Sequence, residues 1–254
     1  MNMFDLTGKK AIITGAAQGL SLGMAEGLAE AGAEICLIDI NPKVEEVAKE
    51  LCQKGIKCHS VIGNLADDVG REEAFEKSVS LLGDHLDIIV NSAGVQKRHK
   101  SEEFPIEDWK FVLDVNLTAV FVLSQLAAKQ FMKQETGGKI INLASMLSFF
   151  GGYTVPAYAA SKGAVAQITK AFCNEWAEKG INVNAMAPGY MDTEMNVALT
   201  DPSNPRYAEI TNRIPAKRWG TPDDMKGTTV FLASSASDYL NGAIIPVDGG
   251  YLVK

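Results

Sequence analysis

Short apolar runs alternate with amphipathic stretches along most of the chain, from residue 10 to residue 247. The runs are rich in Ile, Val and Leu and are bounded by glycine or polar residues, which is typical of strands buried on both faces. In the stretches between them, apolar residues recur every third or fourth position, which predicts helices. Strands are predicted at 10–14, 34–39, 57–62, 86–91, 139–145, 181–187 and 242–247.

The predicted helices lie between these strands, so that strand and helix alternate. Glycine follows several of them at the position of a helix C-cap, and both Pro156 and the pair Thr221-Pro222 suit a helix start. Helices are predicted at 18–31, 43–54, 71–82, 106–134, 156–180 and from residue 221 onward. The alternation predicts an α/β fold, a doubly wound parallel sheet of seven strands with helices on both faces.

The segment from residue 188 to about residue 216 has no clear period and contains Pro202, Pro205 and Pro215. Irregular segments of this length inside a domain are usually functional, and we expect a lid over a binding site. No linker, repeat or low-complexity tract divides the sequence. We therefore expect residues 1–254 to form a single domain.

The first predicted strand ends in a glycine-rich turn, residues 14–20, that leads directly into a helix. Gly15 permits the tight turn, and Gly19 lets backbone N–H groups at the helix N-terminus approach a diphosphate. The alternative is a turn that needs glycine only for its conformation. The strand–turn–helix context favours a dinucleotide site of the Rossmann type, so the expected domain is a dinucleotide-binding one.

Asp39 ends the second predicted strand. A carboxylate at this position accepts hydrogen bonds from the adenosine ribose, and it repels a 2′-phosphate. No arginine follows it to compensate. Unless Asp39 is only a solvated strand end, we expect the cofactor to be NAD rather than NADP.

Tyr158 and Lys162 are four residues apart near the start of a predicted helix, so they face the same way. A phenol is a poor base at neutral pH, but a nearby ammonium and the positive nicotinamide of NAD⁺ both favour the phenolate. Ser145 ends the fifth predicted strand, at the sheet edge where ligands of such folds bind. Alone, the tyrosine–lysine pair is typical of an ordinary helix surface. Together with Ser145 and the glycine-rich turn, it indicates hydride-transfer chemistry on a hydroxyl or keto substrate.

Composition limits the partners and the location. A net charge of -7 argues against binding to nucleic acid or to anionic membranes. Polar residues or glycine interrupt every apolar run, and the N-terminus shows no secretory signal, so we expect no membrane span and a cytoplasmic protein. The four cysteines and three histidines have no metal-ligand spacing, and we expect reduced thiols and no metal site.

Taken in order, the motifs resemble the short-chain dehydrogenase/reductase family over the whole chain. They are Thr14-Gly15-x-x-x-Gly19, Asn91-Ser92-Ala93-Gly94, Asn116, Ser145, Tyr158-x-x-x-Lys162 and Pro188-Gly189. The resemblance implies that Tyr158 is the general acid/base, that Lys162 lowers its pKa and holds the nicotinamide ribose, and that Ser145 orients the substrate. It also implies that Asn116 supports a water that relays protons. The implied cofactor contacts are Gly15, Gln18, Gly19, Leu20, Asp39, Asn64, Leu65, Asn91, Ala93, Gly94, Tyr158, Lys162, Pro188, Gly189, Met191 and Thr193.

Three positions depart from the family pattern. Ser21 replaces the third glycine of the turn, Ser92 replaces the second asparagine of Asn-Asn-Ala-Gly, and Asn64 stands where an aspartate is common near the adenine. These departures bear on cofactor affinity rather than on the class of reaction.

Longer strings, such as 145–149 and 213–220, resemble family members that oxidise or reduce a sugar acid at a secondary alcohol carbon. The carboxylate of such a substrate needs a cationic partner, and Arg98 follows the fourth predicted strand at the expected substrate edge. Substrate contacts are therefore expected from Arg98, Ser145 and Tyr158. Surface exposure without function is the alternative for Arg98, and a structural role is expected for Arg218. The family resemblance also implies a homotetramer.

Three other functions stay open at this point. A non-catalytic NAD-binding regulator would keep Gly15, Gly19 and Asp39 but would not need the tyrosine–lysine pair. A 3-oxoacyl-carrier-protein reductase generally uses NADPH and carries basic surface, unlike this acidic chain. Another short-chain reductase of polyols or ketones would share every motif.

Overall fold

The computed structural model describes residues 2–201 and 203–254. Seven strands form one parallel sheet in the order β3-β2-β1-β4-β5-β6-β7. Their interiors are almost entirely buried, as expected for strands covered by helices on both faces. The predicted seven-stranded doubly wound sheet is confirmed. The strands are β1 Lys10–Thr14, β2 Glu34–Asp39, β3 Cys58–Ile62, β4 Ile88–Asn91, β5 Gly138–Leu143, β6 Ile181–Pro188 and β7 Ile244–Val247.

The helices that cover the sheet match the predicted intervals with small shifts at their ends. The third helix begins earlier than predicted because the side chain of Asp67 accepts a hydrogen bond from the Gly70 N–H, which caps the helix at Asp68. The helices are α1 Gly19–Glu30, α2 Lys43–Gln53, α3 Asp68–Leu81, α4 Ile106–Leu113, α5 Ala119–Gln134, α6 Pro156–Trp176, α7 Val197–Thr200, α8 Pro205–Arg213 and α9 Pro222–Ala233.

The predicted helix at 106–134 is continuous but not uniform. A π-helical turn, Asp114–Thr118, joins α4 to α5, and Asn116 lies in the middle of this turn. The combined segment Ile106–Gln134 is long and apolar enough to cross a membrane by length and composition. This corrects the expectation that no segment qualifies, which failed because the acidic residues lie towards one end of the helix. Here α5 packs Leu123, Ala127 and Phe131 into the core beside the sheet.

The expected irregular lid at 188–216 is wrong in its local structure. It contains a 3₁₀ turn, Glu194–Asn196, followed by α7 and α8. The prolines suggested an irregular segment, but Pro205 lies in the first turn of α8, where a missing N–H costs nothing. The side chain of Asn204 caps the same helix. Ile210 of α8 packs with Ile214 in a cluster that includes the buried Trp219 and Tyr251 side chains. Pro202 lies outside the described residues.

Helices α1 and α9 pack against each other through two glycines. A Cβ atom on Gly23 would lie 2.7 Å from the carbonyl oxygen of Pro222, and one on Gly27 would lie 3.0 Å from the Cα atom of Lys226. The Lys226 ammonium is within 3.3 Å of carboxylate oxygens of Glu26, Glu30 and Asp223. Both helices contribute to the same core cluster on one side of the sheet, through residues such as Leu28 and Leu232.

Candidate active site

One cleft runs along the carboxyl edge of the sheet, where the chain order reverses between β1 and β4. Ligands of open α/β sheets bind at this topological switch point. The cleft reaches from Asp39 at the end of β2 to Ser145 after β5, and Tyr158 of α6 lies beside Ser145. The predicted cofactor residues that line it are Gly15, Gln18, Gly19, Leu20, Asp39, Asn64, Leu65, Ala93, Gly94, Tyr158, Lys162, Pro188, Gly189, Met191 and Thr193.

The glycine-rich turn has the geometry that its sequence predicts. Gly15 and Gly19 have φ angles of +71° and +63°, which side chains rarely tolerate. A Cβ on Gly15 would lie 2.8 Å from the Cα of Ala93, so only glycine permits this approach to β4. Around a Cβ built on Gly19 there is open space within 4 Å, and no side chain among the described residues caps the N-terminus of α1. The turn therefore fits a diphosphate held by backbone N–H groups.

Asp39 is fixed at the adenosine end of the cleft by two backbone donors. The N–H of Ala17 donates to Oδ2 and the N–H of Asn41 donates to Oδ1, each at 2.9 Å. Among the described residues that line the cleft, Lys162 is the only cation, and it lies at the opposite end. A 2′-phosphate beside Asp39 would meet a carboxylate with no cation in the lining to compensate.

The turn and the end of β4 are locked together by hydroxyl groups. Thr14 Oγ1 accepts hydrogen bonds from the N–H groups of Ser92 and Ala93, both at 3.0 Å. The hydroxyls of Ser21 and Ser92 are 2.7 Å apart, and both side chains are buried. The two departures from the family pattern at Ser21 and Ser92 therefore contact each other. No motif predicts this pairing, because the two serines are far apart along the chain.

Asn91 is the one predicted cofactor residue that does not line the cleft. Its side-chain amide donates to Ser124 Oγ at 3.0 Å and to Asn142 Oδ1 at 2.9 Å. Asn91 is the last residue of β4, and its side chain is buried between the sheet and α5 rather than facing the cleft. We correct its side chain from a cofactor contact to a support of the β4–β5 edge.

Tyr158, Lys162 and Ser145 come together at the nicotinamide end of the cleft. The Lys162 ammonium donates to the Leu143 carbonyl at 2.5 Å and lies 5.7 Å from the centre of the Tyr158 ring. Burial raises the pKa of Tyr158 above its ordinary 10, and the hydrogen bond with Ser145 opposes that shift. Burial lowers the pKa of Lys162 from 10.5 to about 8. A lowered pKa for Tyr158 must therefore come from positive charge in the cleft, since burial alone acts in the opposite direction.

Asn116 reaches the same region from the π-helical turn. Its Oδ1 accepts the Val95 N–H at 2.8 Å, and its Nδ2 donates to the Val95 carbonyl at 2.9 Å and to Ser161 Oγ at 3.2 Å. The side chain therefore fixes the irregular segment that follows Gly94 to the helix that carries Tyr158. Its implied support of a proton-relaying water stays a prediction.

Ser148 is a positioning residue that the sequence reading missed. Its hydroxyl donates to the Lys162 carbonyl at 2.7 Å and accepts the Ser145 N–H at 3.3 Å. It thereby joins the turn that carries Ser145 to the helix that carries Lys162. The only available signal was its position three residues after Ser145.

The two candidate arginines lie outside the cleft lining. Arg98 is exposed on the segment after β4, and its Nη2 donates to Gln96 Oε1 at 3.3 Å. Arg218 forms two hydrogen bonds of 2.7 Å with the Asp224 carboxylate, which holds the pKa of that group well below its usual range. The expected structural role of Arg218 agrees with this geometry, whereas the substrate contact of Arg98 stays a prediction.

Residues 15–252 match the family model described as enoyl-(acyl carrier protein) reductase. The chain belongs to the short-chain dehydrogenase/reductase family. It is 49% identical, over all of its length and 99% of the relative, to 2-dehydro-3-deoxy-D-gluconate 5-dehydrogenase of Dickeya dadantii. It is 43% identical to 5-keto-D-gluconate 5-reductase of Escherichia coli, with 99% of this chain and 98% of the relative covered.

A solved family member has the same fold. It is a gluconate 5-dehydrogenase from Burkholderia cenocepacia in complex with NADP and tartrate, with a TM-score of 0.94 and 38% identity over 100% of this chain and 98% of that one. The present chain is accordingly an oxidoreductase of the short-chain dehydrogenase/reductase family that uses a nicotinamide cofactor.

Proposed function

We propose that this protein is an NAD(H)-dependent oxidoreductase that interconverts a secondary alcohol and a ketone on a sugar acid, with the activity of 2-dehydro-3-deoxy-D-gluconate 5-dehydrogenase. The observation that carries the proposal is the juxtaposition of Ser145, Tyr158 and Lys162 at one end of a cleft whose other end presents Asp39. The full-length identity of 49% to a dehydrogenase of that name supports the choice of substrate.

The chain's own residues supply the proton chemistry. When bound, the nicotinamide ring supplies the hydride acceptor for oxidation and the hydride donor for reduction. Tyr158 takes the proton of the substrate hydroxyl during oxidation and returns one to the carbonyl oxygen during reduction. Ser145 donates a hydrogen bond to the same oxygen and holds it against the Tyr158 hydroxyl. The Lys162 ammonium, with its pKa near 8, is mostly charged at neutral pH and stabilises the phenolate.

The cofactor proposed is NAD rather than NADP. The carboxylate of Asp39 is held in place by two N–H groups, so it cannot easily turn away from a 2′-phosphate. The gluconate 5-dehydrogenase from Burkholderia cenocepacia is in complex with NADP, so a comparison of kcat/KM with NAD⁺ and NADP⁺ tests the proposed preference directly.

The substrate carboxylate needs a cationic partner, and Lys162 is the only cation among the described residues that line the cleft. We assign this role to Arg98, since its segment follows Gly94 and Val95, which do line the cleft. A guanidinium binds a carboxylate through two parallel hydrogen bonds, and an exposed arginine has the rotamer freedom to turn towards a bound acid.

The working form proposed is a cytoplasmic homotetramer in which residues 1–254 act as one catalytic domain and residues 188–216 cover the substrate. The exposed aromatic side chain of Phe121 on α5 supports association through this helix. Near the C-terminal end, Tyr251 is buried within the chain, whereas Val253 is exposed. Of these two residues, only Val253 is therefore accessible to another subunit.

A substrate panel tests the proposed function. The purified protein is mixed with NAD⁺ or NADP⁺ and with 2-dehydro-3-deoxy-D-gluconate, gluconate, a neutral polyol of equal length or buffer, and reduced cofactor is followed by absorbance. We expect the highest kcat/KM for NAD⁺ with the dehydro-deoxy acid. Higher kcat/KM with gluconate would select the gluconate 5-dehydrogenase activity instead, and equal rates with the polyol would rule out an acid-specific site.

A further inference from the structure

Ser21 and Ser92 form a hydroxyl pair inside the cleft. Ser21 lies in the first turn of α1, and Ser92 directly follows β4. Their Oγ atoms are 2.7 Å apart, both side chains are more than nine-tenths buried, and both residues line the cleft. Neither hydroxyl takes part in the proton transfer proposed for Tyr158.

The pair contains one more proton than its own hydrogen bond uses. Each serine hydroxyl has one proton, and the contact between the two oxygens needs only one of them. Among residues 2–201 and 203–254, neither Oγ atom has another hydrogen-bond partner besides its mate. One O–H donor is therefore left over, and a buried donor without an acceptor is costly.

The location of the spare donor indicates its acceptor. Ser21 follows the glycine-rich turn, where backbone N–H groups face the position of a diphosphate. A diphosphate carries acceptor oxygens only, and a hydrogen bond to an ionised acceptor is stronger than one between neutral groups. We propose that the Ser21–Ser92 pair acts as one unit that donates a hydrogen bond to the diphosphate of the bound dinucleotide. This inference rests on the proposed function, because it requires a nicotinamide dinucleotide in the cleft.

The surrounding contacts hold this donor in place before any ligand binds. Thr14 Oγ1 fixes the Ser92 N–H, and Gly15 lies directly against Ala93. These contacts hold the turn and the segment after β4, and with them the backbones of the two serines, close together. Ser21 and Ser92 both depart from the family pattern, and each hydroxyl occupies the space beside the other. The two departures are therefore structurally linked.

Three alanine variants test the proposal by ligand binding rather than by turnover. These are Ser21→Ala, Ser92→Ala and the double variant, each titrated with NADH by fluorescence and with ADP and adenosine as competitors. We expect at least one single variant, the one that removes the hydroxyl facing the diphosphate, to raise the Kd of NADH and of ADP about tenfold, the value of one hydrogen bond to a charged acceptor. Adenosine has no diphosphate, so its Kd should stay within about twofold of wild type. Because the two hydroxyls present one donor, the double variant should be about as weak as the weaker single variant.

Each other outcome overturns the pair's role. NADH affinity that stays at the wild-type value in both single variants would show that the spare donor does not reach the ligand. Equal weakening of ADP and adenosine would show a general change of shape, and fold-changes that multiply in the double variant would show two independent groups. Wild-type protein that binds no NADH would overturn the proposed function as well, so the two failures are distinguishable. The matched control is Ser78→Ala, which removes a buried hydroxyl from α3, outside the cleft lining, and should leave all three affinities unchanged.

Discussion

The Tyr158 hydroxyl is the titrating group that the proposed chemistry cannot replace. Tyr158→Phe keeps the ring and its buried packing but removes the proton donor, so we expect kcat to fall by about two orders of magnitude or more. NADH affinity should remain, because the phenyl ring stays in place. Stopped-flow or steady-state assays with NADH absorbance, paired with a fluorescence titration, measure both. Near wild-type turnover would contradict the assignment of Tyr158.

Lys162 is a buried cation whose charge serves the proposed chemistry but destabilises the folded state. Its pKa is lowered from 10.5 to about 8, so between those values the unfolded chain binds the extra proton and a rise in pH favours the folded state. Below pH 8 the lysine is charged in both states, and the fold bears the full desolvation cost. We expect Lys162→Met to abolish turnover and yet to raise the free energy of unfolding at neutral pH by about 1–3 kcal/mol.

The pH dependence separates this effect from ordinary repacking. Urea denaturation at about pH 7 and about pH 10 should show the advantage of Lys162→Met shrinking at the higher pH, because Lys162 is then largely neutral in the fold. Lys170→Met is the matched control, since Lys170 is exposed on the same helix. A stability difference that is equal at both pH values would contradict the buried-charge explanation.

Arg98 is the proposed partner of the substrate carboxylate. Arg98→Ala should raise KM for the sugar acid about tenfold or more, which corresponds to about 1.4 kcal/mol, and should leave NADH affinity unchanged. Lys100→Ala removes an exposed cation from the same segment and serves as the control. If KM for the acid responds equally to both changes, the segment acts through its net charge and Arg98 has no specific contact.

Individual side chains were predictable from sequence where a motif fixes both residue type and place in the fold. Gly15, Asp39, Tyr158 and Lys162 are such cases, and all of them line the cleft. Asn91 was not, because its side chain donates to Ser124 and Asn142 instead of facing the cleft, and the motif does not report these distant partners. Contacts between distant residues that lack a motif, such as the hydroxyl pair, have no signal in a single sequence.

The contact between α1 and α9 depends on missing side chains. Gly23→Ala would place a Cβ 2.7 Å from the Pro222 carbonyl oxygen, so the helices must separate, and we expect a loss of about 1–3 kcal/mol of unfolding free energy. Gly227→Ala, also in a helix of this pair, meets no atom within 4 Å and should instead add about 0.5–1 kcal/mol. Thermal or urea denaturation measures both signs, and equal effects would refute the packing argument.

Helix and strand positions followed from the sequence because apolar period and capping residues act locally. The two failures have local causes too. The π-helical turn at Asp114–Thr118 contains no glycine or proline that would mark it in the sequence, and it interrupts neither α4 nor α5 with a loop. Helices α7 and α8 are short and proline-flanked, and their fold depends on packing against Trp219 and Tyr251, which no local pattern reports.

The sheet as a unit was predictable because parallel strands buried on both faces leave few alternatives to a doubly wound order. The oligomeric state of the protein was not predictable from these residues, because apolar residues of a buried face and of a subunit interface look alike in sequence. Phe121 illustrates this: 42% of it is exposed, yet its ring lies 5.7 Å from that of Phe172.

The proposed tetramer depends on this exposed face of α5. Phe121→Lys puts a charge where a partner subunit would bury the ring, and we expect light scattering to show dissociation into smaller species. The control is Tyr239→Lys, a change of a fully exposed aromatic residue on the turn after α9. An unchanged mass for Phe121→Lys would exclude this face as the interface.

Strand β1 lies between β2 and β4, and this order affects the chain while it is still being made. As synthesis proceeds, β1, β2 and β3 leave the ribosome first and can pair with one another, whereas the other edge of β1 has no partner until Ile88–Asn91 emerges. An unpaired edge is a template for strands of other chains. The nascent protein therefore passes through a period of aggregation risk at the edge of β1 that β4 will later cover.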